Sequence, residues 1–301
     1  LEDNVLAELP GSSPFWIVKR EKLDELIIDQ AIRNGAELLK PFLVKNILKK
    51  DNLWELISDK GRRIFSKSIV IADGSNSSWS KVFGLGPKLT HQARTISLRI
   101  EGRGNLERGV TRFEFGLVKY GFAWAFPAKN SINVGIGTFI GRNSTCNKKV
   151  LNKFLLSLGI NSAIGPIEEK FLNVWNGHPR LHENGIVAVG DAASLCDPFL
   201  AEGIRPALIS GFYAAHHLNN WILDETTDLK EYTQTMKIMW GNSMAWGQKI
   251  AQVFYRFPKL GYQLGIKRPT APKRIAQILS GDLSYGDIAQ RSIRRLLFNS
   301  K

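Results

Sequence analysis

The sequence has few cysteines and no long hydrophobic run. Its 301 residues include only Cys146 and Cys196, which cannot form the disulfide framework of a small secreted protein. We therefore expect a reducing, cytoplasmic compartment. No apolar stretch approaches the roughly 18 to 20 residues that a membrane-spanning helix requires. These two shortages exclude a disulfide scaffold and leave no candidate transmembrane helix.

The composition is that of a folded protein with an uneven positive charge. Apolar residues make up 44% of the chain and charged residues 23%, which is ordinary for a packed globular protein. The net charge is +14, and residues 259–301 carry nine basic residues against Asp282 and Asp287. This basic segment fits either a contact with an anionic membrane surface or a solvated basic face. We expect no nucleic-acid partner.

Hydrophobic periodicity predicts an α/β framework with an inserted antiparallel sheet. Residues 21–34 have helical spacing, with an apolar stripe along one side. Residues 68–72 are apolar without alternation, as in a strand that is covered on both faces. Between residues 92 and 138 several strand-like segments follow one another without a helix, which predicts an antiparallel sheet. Residues 229–257 predict one long helix or two helices in series.

The strongest local signal is a strand that ends in Gly-Asp and is followed by a loop and a helix. It consists of Gly185-Ile-Val-Ala-Val-Gly-Asp-Ala-Ala193 and Asp197-Pro-Phe-Leu-Ala-Glu-Gly-Ile204. Gly190 allows a ligand or a second backbone to approach closely, and Asp191 can accept hydrogen bonds from ligand hydroxyls. The amides near Gly203 and Ile204 can donate to electronegative atoms at a helix N-terminus. The alternative is an aspartate that caps an ordinary strand-to-helix turn.

A second signal is an aromatic strand, Phe122-Ala-Trp-Ala-Phe-Pro127, followed by Ile132-Asn-Val-Gly-Ile-Gly137. Alternate residues of a strand point to the same side, so Phe122, Trp124 and Phe126 are expected to share one face. Three large rings in this arrangement either line an apolar channel or pack in an ordinary core.

Two other patterns imitate functional motifs and are rejected. Gly135-Ile-Gly137 with Gly141 resembles a dinucleotide-binding fingerprint, but its spacing differs and no helix is predicted directly after it. His178 and His182 have helical spacing, but Pro179 between them argues against a helix, so we expect no metal site there. The sequence also has no Ser-His-Asp order and no Cys-x-x-Cys pair, which argues against a hydrolase or a zinc protein.

Together the motifs resemble FAD-dependent enzymes of the p-hydroxybenzoate hydroxylase fold, and among these the geranylgeranyl reductase family. The Gly-Asp-Ala-Ala and Pro-Phe-x-x-Glu-Gly-Ile strings are similar to the family's second flavin-contacting segment. The aromatic strand is similar to the pattern that lines its prenyl groove. Two further matches are Arg20 with Leu23-Asp24, and Ala72-Asp-Gly-Ser-Asn-Ser77. The resemblance extends over about residues 14–215.

The resemblance implies a role for each matching residue around the flavin. Asp191 would bind the ribityl chain, and the amides of Gly203 and Ile204 would face the pyrimidine side of the isoalloxazine. The family often has Gly-Glu-Gly where this chain has Ala201-Glu202-Gly203. The extra methyl group of Ala201 is therefore expected to narrow the space beside the flavin.

Other residues are assigned by the same resemblance. Arg20 would lie near the FAD phosphates, unless it is a surface arginine at a helix start, and Val44 would contact the adenine through its backbone. The implied cofactor-binding residues are Arg20, Val44, Gly190, Asp191, Pro198, Gly203 and Ile204. The implied substrate-binding residues are Phe122, Trp124 and Phe126. The sequence assigns no catalytic acid and no metal ligand.

The resemblance also predicts the domain organisation. The family carries a dinucleotide fingerprint near its N-terminus, whereas this sequence begins at Leu1 and supplies none, so we expect a fragment or a processed product without the first βαβ unit. The expected fold is α/β, an incomplete FAD-binding Rossmann-like domain with an inserted antiparallel β-sheet substrate domain and a C-terminal helical region. The expected domains are 1–90 and 181–225 for FAD binding, 91–180 for the substrate, and 226–301 for the helical region.

The function implied by the resemblance is FAD-dependent reduction of carbon–carbon double bonds in a geranylgeranyl-type isoprenoid chain. NADPH or ferredoxin would be the electron donor, and the isoprenoid would be the apolar partner. One alternative is an FAD-dependent monooxygenase that acts on an aromatic or polyene substrate. Another is a non-catalytic, membrane-associating remnant.

The C-terminal region suggests peripheral contact with an anionic membrane surface. Apolar and aromatic residues precede the basic segment, and they either reach the lipid interface or pack inside a helical core. They are Met236, Met239, Trp240, Met244, Trp246, Phe254, Tyr255 and Phe257.

Overall fold

The first part of the chain forms a helix, a small antiparallel sheet and one strand of a second sheet. The computed structural model describes residues 16–107, 109–139, 146–161, 165–223 and 228–298. The first elements are α1 (Arg20–Arg33), β1 (Val44–Lys50), β2 (Leu53–Ser58), β3 (Arg63–Ser66), β4 (Ile69–Ile71) and α2 (Trp79–Val82). Strands β1, β2 and β3 pair in that order, each antiparallel to the next.

The predicted helix near the N-terminus is confirmed, but its apolar stripe is not buried. Helix α1 spans Arg20–Arg33, and none of its residues is buried. Leu26 and Ile32, for example, are 66% and 43% exposed. The apolar stripe of α1 is therefore exposed within the described part of the chain, because no described residue covers that side of the helix.

Five strands form the central antiparallel sheet, as the sequence predicted. They are β5 (His91–Glu101), β6 (Arg112–Phe115), β7 (Gly121–Pro127), β8 (Ser131–Thr138) and β9 (Glu168–Val174). Their order across the sheet is β6-β7-β8-β5-β9, and every neighbouring pair is antiparallel. Helix α3 (Lys148–Ser157) connects β8 to β9 and begins where Asn147 accepts a hydrogen bond from the backbone of Val150.

The central sheet has two different faces, and each contributes to its own core. On one face, alternate aliphatic residues of β5, β7 and β8 pack against α3. The buried residues of this core include Ile96, Leu98, Ala123, Val134, Ile136, Leu151, Phe154 and Leu155. The opposite face carries the aromatic side chains of β6 and β7 and joins the larger core, which also includes buried residues of the second sheet and of the later helices.

A second, smaller sheet contains the strand that leads into the Gly-Asp motif. Strands β10 (His182–Glu183) and β11 (Ile186–Ala188) pair antiparallel, and β11 pairs in parallel with β4. Ile69 and Ile71 are buried, whereas Val70 is 46% exposed. The prediction that residues 68–72 are covered on both faces is therefore wrong for Val70, because no described residue covers its side of β4.

Helices make up most of the remaining chain. They are α4 (Ile204–Ile222), α5 (Lys230–Met236), α6 (Asn242–Arg256), α7 (Pro258–Gly261), α8 (Ala271–Ser280) and α9 (Tyr285–Phe298). The helical stretch predicted over residues 229–257 is interrupted by a π-helical segment, Lys237–Gly241, which joins α5 to α6. In the part of the chain that the structure describes, no helix is both long enough and apolar enough to cross a bilayer.

Most of the apolar and aromatic residues that precede the basic segment pack inside the protein. Of those named above, the buried ones are Met236, Trp240, Met244, Phe254 and Tyr255. Met239 and Phe257 are 54% and 55% exposed. The alternative of packing inside a helical core is therefore correct for these five buried residues. Any lipid contact would have to use the exposed residues and the basic segment.

Adjacent leucines of α3 test the packing of the core beneath the sheet. Leu155 is 2% exposed and Leu156 is 59% exposed. Leu155→Ala should lower the free energy of unfolding by about 2 to 5 kcal/mol, because it leaves a cavity. Leu156→Ala should change it by less than about 0.5 kcal/mol. Urea unfolding measures both, and equal losses would contradict the assigned direction of α3.

Candidate functional site

The Gly-Asp motif lies at the carboxyl end of β11, where the chain turns toward α4. Residues Gly190–Ala193 form a short 3-10 turn. Gly190 has φ +55°, and a Cβ placed on it would lie 3.1 Å from the Cβ of Ala207. The Gly190 amide donates to Ser210 Oγ at 2.9 Å. Glycine is therefore needed here both for the left-handed turn and for the close approach of α4.

Asp191 is a largely buried carboxylate next to the first turn of α4. Burial raises its pKa to about 6, and the nearby Glu202 carboxylate contributes to the rise. The backbone N–H of Asn173 and the charge of Arg20 act in the opposite direction. The structure thus brings Arg20 within electrostatic range of Asp191. Arg20 itself is exposed and forms an ion pair with Asp24 at 3.3 Å.

The loop of residues 197–203, called the 197–203 loop below, is organised by the buried side chain of Asp197. Its Oδ1 accepts from the amides of Phe199 at 2.7 Å and Leu200 at 2.9 Å. The Asp197 amide donates to the carbonyl of Glu202, and the Ala201 amide donates to the carbonyl of Asp197. Pro198 lies in this loop and is buried. The loop is therefore a closed turn that delivers the chain to the start of α4.

Ala201 has a left-handed backbone, with φ +53°. This conformation costs an alanine about 1 to 2 kcal/mol relative to a right-handed one. The glycine that is frequent at this position in the resembling family would avoid that cost. The methyl group of Ala201 therefore affects the local backbone as well as the space beside the loop.

Glu202 caps the N-terminus of α4. Its Oε1 accepts from the Arg205 amide at 2.8 Å, and the Ile204 amide also donates to its carboxylate. Burial raises the pKa of Glu202, and these amides and the Arg205 charge partly offset the rise. A Cβ on Gly203 would lie 3.2 Å from Asp191 Oδ1. Asp191, Gly203 and Ile204 are thus neighbours, but the Ile204 amide contacts Glu202 in this structure.

Asn173 is a site residue that the sequence reasoning missed. It is 6% exposed, and its Nδ2 donates to the carbonyls of Ser75 at 2.8 Å and Asp191 at 3.1 Å. It thereby joins the end of β9 to the Asp-Gly-Ser segment and to the Gly-Asp turn. The only signal in the sequence is an amide among the apolar residues that end a strand, and such a signal does not reveal which partners it has.

Five aromatic residues of β6 and β7 form a continuous surface on one face of the central sheet. This aromatic wall consists of Phe113, Phe115, Phe122, Trp124 and Phe126, with neighbouring ring centroids 5.3 to 6.2 Å apart. Phe122 is buried, whereas the other four are partly exposed. The shared face predicted for Phe122, Trp124 and Phe126 agrees with these ring contacts.

The glycines of β8 provide the space that two aromatic rings, those of Trp124 and Phe139, occupy. Gly135 lies opposite Trp124 and Gly137 opposite Phe122. A Cβ on Gly135 would collide with the Trp124 ring, and one on Gly137 would lie 2.7 Å from the ring of Phe139. Both glycines lie within a strand, which explains why they do not form a dinucleotide fingerprint. Gly141, the third glycine of that pattern, lies outside the described residues.

Aromatic contacts connect this wall to the 197–203 loop. The Phe115 ring lies 5.2 Å from that of Phe254, and the Phe254 ring lies 5.3 Å from that of Phe199. The rings that line the sheet and the loop beside Asp191 therefore belong to one packed cluster. Val44, by contrast, is the first residue of β1 and lies in a separate sheet.

Comparisons with known proteins support a flavin-dependent enzyme. No family model matches the chain. It is 27% identical over 249 residues to a digeranylgeranylglycerophospholipid reductase of Picrophilus torridus, covering 76% of this chain and 60% of the relative. A digeranylgeranylglycerophospholipid reductase of Methanococcoides burtonii is 24% identical over 260 residues, covering 81% and 63%. The chain thus spans about three fifths of the length of these curated relatives.

Two solved structures share the fold. A geranylgeranyl bacteriochlorophyll reductase-like protein from Thermoplasma acidophilum has a TM-score of 0.70 and 21% identity, covering 78% of this chain and 63% of that one. A flavin-dependent brominase has a TM-score of 0.67 and 17% identity, covering 93% and 77%. The fold is therefore that of the flavin-dependent oxidoreductases and halogenases. The reductase names of the curated relatives and the first of these two structures support the geranylgeranyl reductase family that the motifs predicted.

The left-handed Ala201 gives a direct test of strain in the 197–203 loop. Ala201→Gly should raise the free energy of unfolding by about 0.5 to 1 kcal/mol, because glycine adopts positive φ without a Cβ clash. Ala215→Gly in α4 is the control and should lower it by about 1 kcal/mol. Urea unfolding distinguishes the two, and a loss of stability at both positions would contradict the assigned backbone of Ala201.

The buried carboxylate of Asp191 predicts a pH-dependent cost in stability. Because its pKa in the folded chain is about 6, and thus above the unfolded value, the charged form is penalised at neutral pH. Asp191→Asn should therefore stabilise the chain by about 2 kcal/mol at high pH, after allowance for solvent screening. The gain should disappear as the pH falls through about 6 toward 4. Urea midpoints across this range measure it, and a gain independent of pH would contradict the burial of Asp191.

Proposed function

We propose that this chain forms the substrate-binding part and one half of the cofactor-binding part of an FAD-dependent reductase. The reaction is the addition of hydrogen to carbon–carbon double bonds of an isoprenoid chain. The observation that carries the proposal is the packed connection between the aromatic wall and the 197–203 loop through Phe254 and Phe199. It joins an apolar surface suited to a long hydrocarbon to a loop suited to a flavin.

The residues around Asp191 fit a flavin. Its carboxylate can accept hydrogen bonds from the ribityl hydroxyls, and Gly190 and Gly203 leave no side chain between the turn and a ligand. For the Ile204 amide to bind the pyrimidine side of the ring, the Glu202 carboxylate has to release it. When bound, reduced FAD would supply the hydride, and the protein would position and shield it.

Arg20 is proposed to contact the FAD phosphates and Val44 to contact the adenine through its backbone. The electrostatic influence of Arg20 on Asp191 supports the first assignment, because it places a cation on the cofactor side of the loop. Pro198 completes the set by shaping the 197–203 loop. NADPH or ferredoxin is proposed as the electron donor.

The aromatic wall is proposed to hold the isoprenoid. Trp124 and Phe126 provide partly exposed apolar rings with the buried Phe122 beside them, and Gly135 and Gly137 leave room for the rings of Trp124 and Phe139. Trp124 Nε1 donates to Asn133 Oδ1 at 2.9 Å, so the indole presents its ring without an unpaired polar atom.

We also propose the finer division into domains. Residues 1–90 and 181–225 would together form an incomplete Rossmann-like domain. Two observations support it. The parallel pair of β4 and β11 is what such a domain contains, and the exposed Val70 and α1 offer surfaces that a further βαβ unit would cover. The remaining boundaries, 91–180 and 226–301, match the sheet and the C-terminal helices.

Peripheral membrane contact is proposed because the named relatives act, by their names, on a phospholipid. A substrate of this kind resides in a bilayer, and the basic segment of residues 259–301 would bind an anionic surface. Exposed Met239 and Phe257 are the apolar residues available beside it.

The test uses the natural full-length polypeptide, purified with FAD and a geranylgeranyl-type lipid. Mass spectrometry of the product should show added hydrogen. Oxygen-dependent hydroxylation would instead indicate a monooxygenase, and the absence of both flavin and turnover would indicate a non-catalytic protein. Asp191→Ala should weaken FAD retention, because the ribityl hydroxyls lose a charged acceptor worth about 1.5 to 3 kcal/mol.

Trp124→Ala tests the substrate assignment. Lost apolar contact is worth about 25 cal/mol per Å² of ring surface, so KM should rise more for long prenyl substrates than for short ones. Trp246→Ala in α6 is the control, since this indole lies outside the aromatic wall. Equal changes for long and short substrates would show that Trp124 only supports the core.

A further inference from the structure

Asp197 is a buried carboxylate that depends on a residue far along the chain. It is 1% exposed, and its Oδ1 is occupied by the amides of Phe199 and Leu200. The hydroxyl of Tyr285, at the start of α9, donates to Oδ2 at 2.8 Å and approaches Oδ1 at 3.0 Å. Oδ2 of Asp197 therefore accepts its hydrogen bond from a residue of the C-terminal helical region.

A buried carboxylate costs folding free energy unless hydrogen-bond donors surround it. Burial raises the pKa of Asp197, and the amides of Leu200 and Phe199, the Tyr285 hydroxyl and the Arg205 charge lower it again. The Tyr285 hydroxyl thus stabilises the charged form of Asp197. The titratable and charged groups around Asp197 are Cys196, Glu202, Arg205, Tyr255 and Tyr285.

Contacts outside the 197–203 loop also hold Tyr285 in place. Its amide donates to Ser243 Oγ at 3.1 Å, and a Cβ on Gly247 of α6 would lie 2.7 Å from its Cδ2. Gly247 therefore provides the space that the ring occupies between α6 and α9. Because the ring is only 1% exposed, its hydroxyl is fixed in direction.

We propose that Tyr285 is a positioning residue for the 197–203 loop. By binding Asp197, it sets the closed turn whose end presents Gly203 and Ile204 at the N-terminus of α4. The inference rests on the proposed function only where it treats this loop as a flavin-binding loop. A side chain of α9 thereby controls the geometry of a loop that begins 88 residues earlier in the sequence.

The test compares Tyr285→Phe with Tyr232→Phe, two deletions of a buried hydroxyl. Tyr232 is fully buried, and its hydroxyl donates to the carbonyl of Ala188, which does not titrate. Urea midpoints are measured with the 301-residue chain between about pH 5 and pH 9. Amide exchange of Phe199 and Leu200 is measured on the same samples.

The two variants should respond differently to pH. Loss of the Tyr285 donor raises the pKa of Asp197 further, so the deficit of Tyr285→Phe should grow as the pH rises through that pKa and then level off. The deficit of Tyr232→Phe should stay constant. Exchange at Phe199 and Leu200 should become at least about ten-fold faster in Tyr285→Phe alone, because the turn loses its anchor.

Asp197→Asn provides an internal check. In that background, adding Tyr285→Phe should produce a deficit that no longer depends on pH. Equal, pH-independent deficits for the two tyrosine variants, with unchanged exchange at Phe199 and Leu200, would overturn the proposal. Because none of these measurements needs flavin, a failure of the full-length protein to bind FAD would count against the proposed function and leave this test valid.

Discussion

The shape of residues 188–199 depends on hydrogen bonds donated by aromatic side chains of the C-terminal helices. Tyr232, Trp240 and Tyr255 donate to the carbonyls of Ala188, Leu195 and Phe199, and Tyr285 donates to Asp197. All of these acceptors are buried, and a buried polar group without a partner is costly. Residues 188–199 can therefore keep their irregular path only while the C-terminal helices are in place.

The central sheet serves two purposes because its strands alternate. One face is aliphatic and closes a core with α3, whereas the other carries the aromatic wall beside the glycines of β8. Substrate binding is proposed for the second face, where Phe113, Phe115, Trp124 and Phe126 keep part of their ring surface exposed. The connection through Phe254 and Phe199 makes this face continuous with the 197–203 loop, so the proposed substrate and cofactor surfaces share one packed cluster.

Much of the fold was predictable, because it follows from local periodicity and from motif strings. The helix at residues 21–34, the antiparallel sheet and the Gly-Asp turn all appear near their predicted positions. The exposure of Val70 and of α1 was not predictable, because apolar residues do not reveal whether a partner covers them. Asn173 and Tyr285 were missed for a related reason. Their importance comes from partners that are distant in sequence, such as Ser75 and Asp197.

The sequence by itself determined the resemblance to the reductase family, the Gly-Asp turn and the alternation that places Phe122, Trp124 and Phe126 on one face. These features depend on neighbouring residues and on the two-residue period of a strand. Only the tertiary structure decided that Glu202 caps α4, that Ala201 is left-handed and that Asp197 binds Tyr285. The two hydrogen bonds depend on how far burial removes a group from water and on which donor then reaches it, and the backbone of Ala201 depends on the closed turn around it. No short stretch of sequence contains that information.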